Sequence, residues 1–345
     1  MPTATIYRLS FRAPLHIGER GVALEETRLH VPADTLFSAL CTSWRVLFGA
    51  EALERELLDW FSGTEEEHPF HLTSAFPFAG EVLLFPKPVG RLRNLLLSSG
   101  DEKSFKRVRF VSREVLAALA RGEPVRFSPK SCINGGVAWV SEGEMQKLAA
   151  FVEPAGDQAV LWRTATVPRV TLDRISNASA IWHFGEVHYA QGAGLWFAAV
   201  FNPAHGDQLT QRFDAALALL ADSGLGGERG AGRGLFTFTK SEGDLPGVED
   251  APYFVTLAPF CPKDASQLAA LTADRPAYEL IARRGWVTSP EGSNLRRKTV
   301  WMFAEGSTFS AATTLPGCLV DVTPEPCPHK VWRYGYAFPL GVNMP

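Results

Sequence analysis

The chain has 345 residues, 46% of them hydrophobic, with 9 Trp and 23 Phe, enough for well-packed cores in two domains. A net charge of -3 gives no global nucleic-acid signature. Five cysteines without a C-x-x-C pair show no metal-ligand spacing and argue against a disulfide framework. No run of about 18 apolar residues is present. The opening MPTATIYRLSF lacks a signal peptide's basic n-region and long apolar h-region. The expected setting is the cytoplasm, with reduced thiols, no membrane contact, no metal and no cofactor.

The elements follow in chain order. ATIYRLSFRAP alternates as a strand, with Ile6, Arg8 and Ser10 against Tyr7, Leu9 and Phe11. After the turn LHIGERG, VPADTLFSALCTSWRVLFG reads as a helix capped by Asp34 or Thr35, with Leu36, Leu40, Trp44 and Leu47 on one face. Gly49 ends it before an acidic helix over Ala50–Phe61. FHLTSAFPFAGEVLLFPKP holds two short strands around Gly80. From Lys87 to Lys130 there are eleven Lys/Arg against four Asp/Glu, a local surplus of seven that leaves about -10 for the rest of the chain. A helix is expected at Ser112–Arg121 inside that basic stretch.

AVLWRTATVPRVTLDRIS and AIWHFGEVHYA read as the arms of a long hairpin with its tip at 176–179. GLWFAAVFN is a buried-type strand, and Asp207–Asp222 an amphipathic helix with Leu209, Phe213, Leu217 and Leu220 on one face. The strand GLFTFTK and the Gly/Pro/acid linker 241–252 come next. Beyond the linker lie five or six strands and one helix near Ser266–Leu271. Trp44, Trp60 and Trp196 are expected in the core.

Between the second long helix and its strand stands GLGGERGAGRG, residues 224–234, with six glycines and two arginines. A phosphate-binding loop of an NTPase needs a Lys-Ser/Thr after its last glycine, and a dinucleotide site needs strand, loop, then helix. This loop has neither feature, so both nucleotide-enzyme readings fail. A glycine loop leaving a helix, with Arg229 and Arg233 among its glycines, suits a sugar-phosphate chain: amides would take phosphate oxygens and arginines would add charge and stacking. A glycine C-cap accounts for Gly224 alone.

The helix–glycine loop–strand unit resembles the signature of the RAMP proteins of CRISPR systems. SFRAPLHIGERG, VPADTLFSALC, TSAFPFAGEVLLFPKP, PRVTLDRISNAS and RYGYAFPLGV, spread in order over nearly the whole chain, resemble the family of the fourth Csm subunit, which caps the crRNA 5′ end in type III-A effector complexes. The resemblance implies an α+β fold of two ferredoxin-like (RRM-type) domains, 1–241 and 252–345, with a thumb hairpin at about 160–190 in the first. It implies an RNA clamp without chemistry of its own, whose partners are the crRNA 5′ handle, a large polymerase-like subunit and a backbone RAMP subunit.

Carried onto this chain, Gly226, Gly227, Arg229, Gly230, Gly232, Arg233 and Gly234 would follow the handle's backbone. Arg169, Thr171, Asp173 and Arg174 would lie on the thumb that presses against a nucleotide at the handle–spacer junction. His16 and Gly18 end the first strand near the expected path of the loop, and Thr35 and Ser38 would offer phosphate contacts from the first helical turn. His16 also reads as a structural histidine, and Asp173 as an ion-pair partner of Arg169 or Arg174. Two other functions stay open on the residues: a guide-processing ribonuclease drawing on His16, His30, His183 or His188, and a protein-only scaffold using the acidic stretch Glu51–Glu67.

Overall fold

A computed structural model gives the structure of residues 3–18, 25–90, 102–152, 158–173, 175, 178–289, 292, 294–311 and 314–343. Strand β1 (Ala4–Phe11) is bordered on both sides, by β10 and β11, so Ile6, Tyr7 and Leu9 are all buried and its alternation is only partial. Helix α1 (Ala33–Phe48) follows. It begins two residues before the expected cap, at Pro32, whose side chain offers no hydrogen bond. Asp34 and Thr35 therefore sit inside the first turn. Leu36, Phe37, Leu40 and Trp44 face the core, while Leu47, expected on that face, is exposed beyond the point where the core ends.

The acidic helix expected over Ala50–Phe61 is an unbroken helical run, Ala50–Leu53, Glu54–Leu58 and Asp59–Phe61, whose middle turn is wound as a π-helix. Trp60, expected in the core, is only half-buried, its ring 3.9 Å from that of His205. Strands β2 (Phe70–Leu72), β3 (Phe76–Ala79) and β4 (Val82–Pro86) come next, then β5 (Phe110–Ser112), helix α2 (Arg113–Arg121), β6 (Cys132–Ile133) and β7 (Ala138–Trp139). The long hairpin is β8 (Trp162–Leu172) and β9 (Ser179–Tyr189). Strand β10 (Ala193–Phe201), helix α3 (Gly206–Ser223) and β11 (Phe236–Gly243) complete this half.

The hairpin β8-β9 is a two-stranded sheet of its own; the other strands form one large mixed sheet in the order β11-β1-β10-β3-β4-β5-β7-β6, with β2 also on β10 and only β5–β7 parallel. β1–α1–β3 and β10–α3–β11 are two β-α-β units, and each inserts a strand between the strands of the other. α1 and α3 pack side by side, and Tyr7 stacks on Phe197 at 4.9 Å beneath Phe213 of α3. Burying an apolar stripe of this kind is worth roughly 1.5–3 kcal/mol per large side chain.

The remainder is β-rich: β12 (Tyr253–Thr256), helix α4 (Ala265–Leu271), β13 (Leu280–Arg283), β14 (Val300–Phe303), β15 (Thr308–Ser310), β16 (Gly317–Asp321), β17 (Trp332–Tyr336) and β18 (Pro339–Val342). They make the small sheets β15-β12-β18, β13-β14 and β16-β17. The main core runs across the junction of the halves, joining Phe37, Phe61 and Leu84 to Leu257, Tyr334 and Leu340. Tyr336 donates to the Phe61 carbonyl at 2.6 Å, and the Leu72 amide donates to the Tyr334 hydroxyl at 3.2 Å. Among the described residues all five cysteines are free, and no helix is long and apolar enough to cross a membrane.

Candidate nucleic-acid interface

The glycine loop lies against the segment that leaves β1. The Gly227 amide donates to the His16 carbonyl at 2.9 Å, and the Gly234 amide to the Pro14 carbonyl at 2.9 Å. Two glycines are required by this fit. Gly226 has φ +92 and a Cβ there would stand 2.2 Å from the His16 carbonyl oxygen; Gly234 has φ +71 and its Cβ would stand 2.0 Å from that of Leu225. The amides of Gly227, Gly232 and Gly234 are spent on His16, Arg229 and Pro14 carbonyls, which corrects the expectation that they take phosphate oxygens. Close packing, rather than an open anion cradle, explains most of the glycine density. Gly230 and Gly232 are the exceptions: a Cβ at either would meet open space, and Gly232 answers only to its φ of +73.

The two arginines of the loop part ways. Arg229 is exposed at the edge of a cleft. Arg233 turns inward, its Nη2 2.7 Å from Oε1 of Glu186, a buried carboxylate on β9. Arg169 of β8 lies 3.8 Å from the same carboxylate, and His188 Nε2 lies 3.3 Å from it. The expected pairing of Asp173 with Arg169 is thus replaced by Glu186, because strand register carries Arg169 away from the hairpin tip. Asp173 instead accepts from the Ile175 amide at 2.9 Å and shapes the tip. Thr171 accepts from Trp182 Nε1 at 3.1 Å. Arg174 lies outside the described residues.

His16 joins loop and hairpin. Its Nδ1 donates to the Gly185 carbonyl at 2.7 Å, and its ring lies 4.1 Å from that of Phe184. Burial pushes the imidazole below its ordinary range, against the upward pull of the Gly185 carbonyl and nearby glutamates, so it is neutral at neutral pH. Gly18, where a Cβ would stand 3.4 Å from His16 Nε2, lines the same cleft.

That cleft, about 300 Å³, opens between the glycine loop, the first turns of α1 and the β13–β14 region. Among the described residues, five arginines line it (Arg229, Arg283, Arg284, Arg297, Arg333) against the single carboxylate of Asp34. Asp34 is fully buried and takes Arg283 through a two-pronged contact, 3.0 Å on each oxygen, and Arg333 on one of them. Burial alone would raise its carboxyl, but the two guanidiniums outweigh that and hold it below the usual range. Thr35 Oγ1 accepts from Arg283 at 2.8 Å and Ser38 Oγ from Arg297 at 3.1 Å. Both hydroxyls, expected as direct phosphate contacts, therefore hold arginines that face the cleft.

His16, Gly18, Thr35, Ser38, Gly226, Gly227 and Arg229 all line this cleft, although they come from three separate stretches of chain. Arg169, Thr171, Asp173, Gly230, Gly232, Arg233 and Gly234 do not line it. The arginines of the far wall escaped the sequence reading. Their trace is the basic pairs in ARRGW (282–286) and LRRK (295–298), which the strand pattern around them absorbed.

Residues 249–342 match the family of the CRISPR Csm4 C-terminal domain. A CRISPR system protein Csm4 of Mycobacterium tuberculosis is 29% identical over 334 residues, covering 96% of this chain and 94% of that protein. The Csm4 of Thermococcus onnurineus is 26% identical over 319 residues, covering 91% and 92%. Among solved structures, a Csm3-Csm4 subcomplex of the type III-A interference complex matches with a TM-score of 0.68 at 16% identity over 99% of both chains. A Csm1-Csm4 cassette in complex with cA4 matches with a TM-score of 0.62 at 21% identity, covering 100% of this chain and 99% of that one. The match over residues 249–342, the relatives matched along nearly their whole length and the shared α+β fold agree: the chain is similar to the Csm4 proteins of CRISPR systems.

Proposed function

We propose that this chain is a non-catalytic RNA clamp that holds the repeat-derived 5′ handle of crRNA in a type III-A effector complex. The observation that carries the reading is the cleft itself: an arginine-rich wall facing a glycine loop, with the thumb hairpin rooted beside it. Phosphate recognition by clustered guanidiniums needs no general base. His16, the histidine at the cleft, is held neutral in a structural hydrogen bond, which suits a clamp better than a nuclease.

The interlocked β-α-β units support a ferredoxin-like domain over 1–241 with the hairpin of about 160–190 as its thumb. The family match from residue 249 supports a second domain over 252–345, which we read as a β-rich relative of the first. By likeness to the Csm1-Csm4 and Csm3-Csm4 assemblies, the partners are the large polymerase-like subunit and the backbone RAMP subunit.

The test is to purify a tagged copy from its native host and sequence the RNA that accompanies it. Short RNAs with one constant 5′ end and varied inserts are the expected result; partners without RNA would leave a protein scaffold. The loop variant to use is Arg229→Ala alone, since Arg233 is engaged with Glu186. Arg229→Ala is expected to weaken RNA retention while partners still copurify.

A further inference from the structure

Asp34 is shared by Arg283 and Arg333, and Arg297 stands beside them with no carboxylate contact of its own among the described residues. Its Nη1 donates to the Ser38 hydroxyl, and its Nε is buried without an acceptor among the described residues. Among the described residues, Asp34 is the one carboxylate lining the cleft beside these three guanidiniums. Burial and the neighbouring Arg333 pull the Arg297 guanidinium down to about 10, against the upward pull of Asp34. A buried cation that faces no carboxylate is costly, and an anion entering the cleft would offset that cost.

A second feature shares the cavity. Trp286 lines it while 45% exposed, and the Arg296 guanidinium lies 4.7 Å from its ring centroid. A tryptophan braced on one face by an arginine is a stacking platform for a nucleobase. The volume of about 300 Å³ stands at the low end of ligand cavities and suits one nucleotide rather than a run of them.

We propose that the cleft captures a single nucleotide of the bound RNA, its phosphate on Arg297 and its base stacked on Trp286. This rests on the RNA-clamp reading above. Asp34 is the positioning residue: by pinning Arg283 and Arg333 it fixes the wall of the cleft and leaves Arg297 as the guanidinium for the phosphate.

The experiment measures binding of a fluorescently labelled oligoadenylate to the full chain across a series of KCl concentrations, with a thermal melt of each protein. Arg297→Met keeps the side-chain stem and is expected to shrink the slope of log K against log salt by about 0.7, the share of one phosphate on a single strand. Its melting temperature should hold or rise, since a buried cation is removed. Trp286→Ala is expected to weaken binding about 5- to 100-fold with the slope unchanged. An unchanged slope with a lowered melting temperature in Arg297→Met would make Arg297 a structural residue and overturn the proposal. Wild-type affinity in Trp286→Ala would also overturn it, while leaving the clamp itself standing. Absence of RNA binding by the wild-type chain would remove the clamp and the subsite together.

Discussion

Gly226 and Gly230 occupy the same loop and answer to different constraints. At Gly226 a Cβ would overlap the His16 carbonyl from a left-handed backbone, whereas at Gly230 it would enter open space. Gly226→Ala is expected to cost about 1–3 kcal/mol through overpacking and strain, and Gly230→Ala to change stability by under about 0.5 kcal/mol. Urea denaturation of the two variants checks the contrast. Asp34 is a sharper case. Removing its charge takes away the carboxylate that both buried guanidiniums, Arg283 and Arg333, contact, so Asp34→Asn is expected to lose about 3–5 kcal/mol, as loss of one partner of a buried pair does. A denaturation midpoint equal to the wild type would mean that water already compensates those arginines.

At the scale of elements, the hairpin is anchored at its base and free at its end. Leu15 pairs with Val187, His16 bonds to Gly185, and Glu186 gathers Arg233 and Arg169. Near the tip, Val170, Leu172, Ile175 and Ile181 are exposed, Ile175 at 96%. Contacts at the base thus set the direction of a ribbon whose apolar end projects outward. Arg233→Ala leaves Glu186 with weaker cations, and the hairpin is expected to be cut faster by protease at unchanged body stability. Adding Glu186→Gln removes the stranded charge, so the double variant should recover most of the resistance. Equal cleavage of wild type and Arg233→Ala would show that backbone pairing alone holds the ribbon.

The whole molecule depends on a seam that is polar as well as apolar. Glu305 is buried beside Ser74, at 2.6 Å, and His30, at 3.3 Å. Burial pushes its carboxyl up, but His30 and these hydrogen bonds prevail and hold it at about 2. His68 and His71, close to Tyr336 of the C-terminal half, are both pulled down to about 4 by burial. Between pH 6.5 and 4 the unfolded chain binds protons that the native histidines refuse, so stability falls as pH drops through that window. The Glu305 contribution is complete above about 4.5 and is lost as pH falls toward about 2. The melting temperature should therefore be flat above about pH 6.5 and decline in two stages below it. His71→Phe is expected to shallow the first stage, and a profile identical to the wild type would exclude these histidines as its cause.

How much of this was legible beforehand differs by element. The hairpin arms, α1, α3 and the strands around them follow from alternation and 3.6-residue periodicity, because those patterns record local geometry and one-sided burial. The glycine loop announced itself by composition, yet its glycines proved to serve backbone packing against His16, Leu225 and Arg233, contacts that span more than a hundred residues for His16. Asp34 looked like a helix cap because its partners, Arg283 and Arg333, are 249 and 299 residues away. By itself the sequence determined the α+β element order, the loop and the hairpin, since each is a local matter of propensity and pattern. Only the tertiary structure decided which arginine faces the cleft and which is spent on Glu186. A guanidinium's role depends on the carboxylate within reach, and folding alone brings distant charges to that distance.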